Sequence, residues 1–547
     1  MNMRPKMKLE RLSGPKPRQG THRRAVAAGG LTLALALSAC GAKSDDATDN
    51  KPIENLRVVA AFMPTSLDPD STNINDIYTN YQVAAQYMGT LVRIRPSEGS
   101  GDKLTFPDDL HPELAESIEP GDKGYTVTLR DVTSPAGNRL TSEDVKWSFE
   151  RMVANQSVAM LLLDFARVDL KNPITIKDEK TFVINTTTPT TLLPSVLENA
   201  ALGIFDSVEA KKHATPDDPW AREWLKNNTA SFGPYTVEKF DPGNEVTLKA
   251  HSGYWSGSPK IQTVTIRNVP DAASRAQLLQ SGSADLMLGV PPTEWAALEK
   301  NAKIQTVAMG SPSALEIWLN TTKEPTNNVA LRRAIANAIN KEDIAKGLFP
   351  GVGAPVADCT AATVPVAGFT SAVPNTGNLE EAKAQLAKAG LDRPLQMIYN
   401  SATNVFSESA ARFVQDQLKQ VGIEVKLNAY ANQADYQTAM DKREWDLNLG
   451  VQSLFINHPL YELKMFLTGT SSLNIPAYNN KTFADLVDKA LGSSETEELT
   501  RQACEIAIND DVPLILIMSF PYTVALDKNV PGARSYPYDR IPFADLG

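Results

Sequence analysis

The chain has 547 residues and a formal net charge of −10, a length that exceeds what one hydrophobic core holds and predicts two or three lobes. The acidic balance argues against nucleic acid as a partner and against a polybasic grip on anionic lipid.

In chain order, the first feature is an export signal. Met1 to Arg24 carries eight Lys/Arg and one acid, and Ala25 to Ala39 is a short run of Ala, Leu and Gly. The run is too short for a permanent membrane helix and suits a signal-peptide core. Leu37-Ser38-Ala39-Cys40 resembles the bacterial lipobox, whose cysteine is acylated and becomes the first residue of the mature protein, so residues 1–39 read as a signal peptide. Arg23-Arg24 leaves twin-arginine export open beside the general route. From Cys40 to Lys51 the chain is small and polar and predicts a flexible, lipid-anchored tether.

The body that follows is roughly 500 residues of alternating strand and helix signals. Leu56 to Phe62 is an apolar opening strand, and Tyr125, Val127 and Leu129 alternate with polar residues. Thr141 reads as an N-cap with Asp144 three residues on, and Val145, Phe149 and Met152 share one helical face. Tyr235 to Phe240 and Val246 to Ala250 flank the turn residues Asp241-Pro242-Gly243-Asn244 and predict a hairpin. Val264 to Val269, a helix capped by Asp271 and Ala284 to Leu288 continue the pattern. In the second half, helices are predicted near Asn328 to Asn340, Leu379 to Ala389 and Ser407 to Val421, with strands near Leu395 to Tyr399, Ile423 to Leu427 and Asp446 to Gly450.

Besides Cys40, the only cysteines are Cys359 and Cys504. In an oxidising compartment they form either a disulfide or two buried free thiols, and a bridge across so long a loop contributes about 4 to 5 kcal/mol in the chain-entropy account. No catalytic constellation emerges. The five histidines, His22, His111, His213, His251 and His458, are isolated, and no zinc pair, phosphate-cradling loop or nucleophile elbow is present. No metal or cofactor is predicted.

Several blocks carry a resemblance. Ser66-Leu67-Asp68-Pro69, His111 to Ser117, Tyr125 to Arg130, Leu140 to Arg151, Phe232-Gly233-Pro234-Tyr235, Gly253-Tyr254-Trp255, Pro270 to Arg275, Leu319-Asn320-Thr321 and Val329 to Glu342 are similar, in this order, to the family 5 solute-binding proteins of bacterial ABC importers. That group includes oligopeptide- and dipeptide-binding lipoproteins. The resemblance implies an α/β, two-lobed periplasmic-binding-protein-like fold (class II, cluster C) with an extra subdomain in the first lobe. It places crossovers near Val307 to Trp318 and Leu514 to Tyr522. The first lobe is then 52–308 plus 520–547, with the extra subdomain about 73–204, and the second lobe is 309–519. The implied protein is a monomer that closes on a peptide or other small solute and hands it to the importer's permease subunits.

One departure bears on the ligand. Where peptide-binding members carry an acid that neutralises the peptide's α-amino group, this chain has Val451-Gln452-Ser453-Leu454-Phe455-Ile456-Asn457-His458-Pro459, with no acid before Glu462. Met63 stands where some members carry an acid at the opening strand. The resemblance therefore makes Met63, Gln452, Phe455 and Asn457 candidate ligand contacts, and Trp318 either a stacking surface or part of the hinge core. A peptide remains the default ligand. A neutral ligand such as an oligosaccharide or a blocked peptide is the alternative, and a secreted hydrolase or a surface chaperone is the reading from another class.

Overall fold

The computed structural model describes residues 53–547 apart from 72–76, 97–102, 105–108, 403–405, 470, 472, 494 and 539. The signal segment, the tether, Cys40 and Asn73 lie outside the described residues.

The opening strand Asn55–Ala60 starts with exposed Asn55 and Arg57 and is buried on both faces from Val58 onward. Leu56 and Val58 enter one core with Val264, Ile266 and Leu526, while Val59 enters another with Leu279, Met287 and Trp295. The strand pairs in parallel with Thr263–Asn268 and with Leu286–Leu288. Burial on both faces marks a strand inside a layered α/β sheet. Seven strands form this sheet, in the order Ile304–Met309, Tyr522–Asp527, Leu286–Leu288, Asn55–Ala60, Thr263–Asn268, Glu245–Ala250 and Tyr235–Asp241.

A second sheet has six strands, in the order Ala354–Pro355, Leu514–Ser519, Ser313–Leu319, Leu447–Ser453, Leu395–Asn400 and Val425–Tyr430. Ser313–Leu319 is buried along its whole length. Leu315, Ile317 and Leu319 pack against Leu331, Ile335 and Val414 on one face, and Ala314 and Trp318 share the other core with Leu460, Leu514 and Leu516. The chain passes between the two sheets twice in strand connections, from Met309 to Ser313 and from Ser519 to Tyr522.

A third layer is the antiparallel sheet Ala115–Gly121, Gly124–Leu129, Thr181–Asn185 and Ile174–Ile176, with helices Ser142–Ala154 and Val158–Phe165 over it. Its core runs on into the second lobe, where Phe165 meets Tyr461 edge-on with ring centroids 5.0 Å apart. Helix Ile77–Tyr87 lies within the span expected for the extra subdomain, yet its Val83, Ala84 and Tyr87 pack into the core of the seven-stranded sheet.

The recognisable motifs are structural fasteners. Asp144 accepts from the Thr141 backbone N–H at 2.8 Å, closing the N-terminus of its helix. Gly233 lies so close to the Tyr87 carbonyl that a side chain there has no room. Trp255 lies under two guanidinium groups, Arg130 at 4.5 Å and Arg95 at 5.2 Å. Asp68 receives both arms of Arg151, at 2.9 and 2.6 Å, and Asp70 takes a further bond from the same guanidinium. Arg151 is fully buried, its Nε donates to the Trp220 carbonyl at 3.1 Å, and its guanidinium sits 4.7 Å from the Phe205 ring centroid.

Truncating one member of such a network strands the other charges away from water. Arg151→Met leaves two buried carboxylates without their cation and is expected to cost about 3 to 5 kcal/mol of stability. Guanidinium denaturation of the two proteins checks this, and an unchanged midpoint would refute the role assigned to the network.

Candidate functional site: the cavity at the interlobe hinge

In open α/β sheets, ligands settle outside the carboxyl ends of the parallel strands. Both sheets turn such ends toward the crossovers. Ser453, the last residue of Leu447–Ser453, pairs with Ser313, the first residue after the first crossover. In the other sheet, Met309 at the end of its strand pairs with Tyr522 just after the second crossover. Phe62, two residues beyond the opening strand, is 70% exposed. Hydroxyls link the crossover itself, with Ser311 to Ser313 at 3.0 Å and Ser313 to Ser453 at 2.7 Å.

A cavity of about 450 Å³ opens at this point, within the size range of small-molecule sites. Met309 and Ser311 from the first crossover and Pro521 from the second form one side, and Asp358, Thr360 and Phe369 from the loop 356–369 form the other. That loop is anchored in three ways. Cys359 is disulfide-bonded to Cys504 at the end of helix Thr496–Cys504. The Asp358 carboxylate accepts from the backbone N–H groups of Cys359 at 2.7 Å and Val366 at 3.0 Å. Asn457 accepts from the Thr363 N–H at 2.8 Å and donates to the Thr363 hydroxyl and to the Pro537 carbonyl at 3.0 Å.

The electrostatics of this wall are acidic. Burial pushes the Asp358 carboxyl above its ordinary value. Behind it, Glu462 accepts from the Ala361 N–H at 2.5 Å, and burial pushes its carboxyl up to about 8, with the charge of Asp358 adding to the shift. Glu316, on the central strand, is raised well above the carboxylate range by burial and by the charge of Glu462. Glu316 and Glu462 are each 1% exposed. The second Glu462 oxygen and the Thr360 hydroxyl are buried without a hydrogen-bond partner. Among the described residues lining the cavity, Asp358 is the only charged one.

The residues singled out from the sequence fall in different places. Met63 is 5% exposed and packs in the core of the seven-stranded sheet. Trp318 is 3% exposed, in the core beneath the helices of the second lobe. Both amide hydrogens of Asn457 are engaged in fastening the 356–369 loop. Gln452 is half-buried in the strand ladder opposite Ala314, and its side chain donates to the Ser453 carbonyl. Phe455 is half-buried, and its carbonyl accepts from Asn199 of the first lobe at 2.6 Å. Asp358 and Glu316 were not singled out, although Glu316 has a visible signal as the one acid inside the apolar run Ala314 to Leu319. His458 caps helix Pro459–Leu467 through Nδ1, and burial pushes its imidazole down to about 4. Among the described residues no group of three or more His, Cys, Asp or Glu side chains is placed to hold a metal, and no helix is long and apolar enough to cross a membrane.

Residues 109–474 match the family described as bacterial extracellular solute-binding proteins, family 5 Middle. The chain is 28% identical over 502 residues to the probable D,D-dipeptide-binding periplasmic protein DdpA of Escherichia coli (strain K12), covering 88% of this chain and 91% of that one. It is 25% identical over 550 residues to the glutathione-binding protein GsiB of Shigella flexneri serotype 5b (strain 8401), covering 96% and 99%. Among solved structures, DppA from Helicobacter pylori in complex with peptide STSA has the same fold, with a TM-score of 0.72 at 22% identity over 91% of this chain and 98% of that one.

The buried acids make stability depend on pH. A carboxyl whose folded value is raised binds its proton more tightly in the folded state, so its contribution is fully present below the unfolded value and is lost as pH rises through the folded one. For Glu462 that window runs from 4.5 to about 8. The melting temperature of the unmodified protein should fall across this window relative to Glu462→Gln, which keeps the acceptor for Ala361 but does not ionise. A difference between the two proteins that is constant with pH would contradict this assignment.

Proposed function

The chain belongs to the bacterial extracellular solute-binding proteins of family 5, which capture a ligand outside the cytoplasm for an ABC importer, and from that premise we propose that its ligand is a short peptide bound in the hinge cavity. The observation that carries this reading is the cavity walled by both crossovers and by the 356–369 loop, since a ligand there lies against the links between the lobes. A ligand that binds the closed state better than the open one drives closure by that difference in affinity. The names of the relatives support a small peptide, as two of them are described by dipeptide and glutathione binding. Binding rather than catalysis is favoured by a cavity wall with no nucleophile and base in hydrogen-bond contact among its described residues. The absence of an acid from Val451 to Pro459 supports a second reading, a neutral ligand such as an oligosaccharide or a blocked peptide.

We further propose that the mature protein starts at Cys40, is held to the outer face of the membrane by the lipid on that residue, and acts as a monomer.

Calorimetry against a pool of short peptides and a pool of oligosaccharides separates the ligand readings. Binding heat with the peptides, accompanied by a smaller radius of gyration in solution scattering, is the expected result, whereas heat with the oligosaccharides alone would refute the peptide. Cys40→Ser should leave the melting temperature unchanged and move the protein from the membrane fraction to the soluble one. Retention of the variant in the membrane fraction would show that another anchor operates.

A further inference from the structure

The cavity wall carries a charge pattern that the proposed function does not by itself require. Its described lining contains Asp358 and no Lys, Arg or His. Glu462 lies behind Asp358, bonded to the backbone of the cavity residue Ala361, and Glu316 lies behind Glu462. Three carboxyl groups thus run from the cavity wall into the second lobe. Lys341, a buried amine on helix Lys341–Leu348, directs its ammonium to the Val356 carbonyl at 3.1 Å. His458 caps its own helix through Nδ1.

A carboxylate desolvated in this way is costly without a counter-charge. Each Asp358 oxygen accepts one backbone N–H and retains a further lone pair for a donor arriving from the cavity. The Thr360 hydroxyl beside it is 1% exposed, lines the cavity and has no partner in the protein. Buried polar groups left unpaired in this way mark a place where a ligand supplies the missing bond.

We propose that Asp358, backed by Glu462 and Glu316, receives a cationic ammonium group of the ligand at the hinge, replacing the acid that the segment from Val451 to Pro459 lacks. This deepens the peptide reading and rests on it, assigning the peptide's N-terminus to the 356–369 loop. A free carboxylate finds no cation on the described wall, so the amine end is the end recognised here. An ammonium beside these acids also favours their ionised forms.

The test uses the mature protein and two synthetic libraries, dipeptide amides with a free N-terminus and the same amides N-acetylated, with retention read by affinity mass spectrometry. The unmodified protein should retain the free-amine library about tenfold or more over the acetylated one, and Asp358→Asn should abolish that preference. Because the substitution also touches the loop's own hydrogen bonds, the preference of the unmodified protein is measured as well while pH is lowered, and it should fade as Asp358 takes up its proton. Equal retention of both libraries by the unmodified protein, or a preference unchanged in Asp358→Asn, overturns the ammonium site and leaves the peptide reading standing. Retention of neither library overturns the peptide reading and this inference with it.

Discussion

Everything about this molecule that allows a ligand to be enclosed follows from the shortness of its two crossovers. Gly310-Ser311-Pro312 and Phe520-Pro521 are the only residues between the strands of one sheet and those of the other. Each link ends in a proline, whose ring fixes φ and removes a backbone donor. The remaining freedom is narrowed by contact, since a side chain at Gly310 would meet Thr363 at 3.3 Å and the Pro537 backbone at 3.5 Å. Two short, parallel links of this kind permit rotation about one axis and little else. The cavity at Met309, Ser311 and Pro521 lies against that axis, where small displacements of a ligand are amplified at the far edges of the lobes.

The charged interior divides by role. On the first lobe, Arg151 is paired bidentately with Asp68 and bonded to Asp70, so one cation ties the helix Ser142–Ala154 to the loop after the opening strand, while burial pushes the Asp70 carboxyl up to about 6. On the second lobe, burial raises both Glu316 and Glu462, and the charge of Glu462 raises Glu316 further. Like charges in a low-dielectric interior do not both ionise, so a proton is retained by the pair near neutrality. The first arrangement fixes geometry, whereas the second leaves a reserve of uncompensated acidity next to the cavity.

The sequence was most legible where periodicity is local. Helix Leu379–Ala389 falls where the apolar spacing placed it, and the predicted hairpin is observed as Tyr235–Asp241 and Glu245–Ala250. Strand Val425–Tyr430 begins two residues later than its apolar pattern suggested, because Gly422 has φ +90° and the turn it makes takes up Ile423 and Glu424. The site was less legible. Trp318 lies on the strand face shared with Ala314 and Glu316, and only the distant helix Pro459–Leu467 decides that this face is covered. Asn457 is polar and near the segment where a ligand contact was sought, yet Thr363 and Pro537, far away in sequence, claim its amide. Asp358 sits in a loop without regular secondary structure, where no period exists to mark it.

The bond between Cys359 and Cys504 bears on which lobe carries specificity. Helix Thr496–Cys504 packs in the core of the second lobe through Leu499 and Ala503, so a loop tied to its end moves with that lobe as one body. Asp358 and Glu462 are then held to one lobe, joined through the 356–369 loop. On the first lobe, Phe62 stands exposed beyond the opening strand. Under the proposed binding mode a ligand meets a preformed polar wall, which costs little to organise. In that mode, selection by charge is thus assigned to the second-lobe side of the hinge.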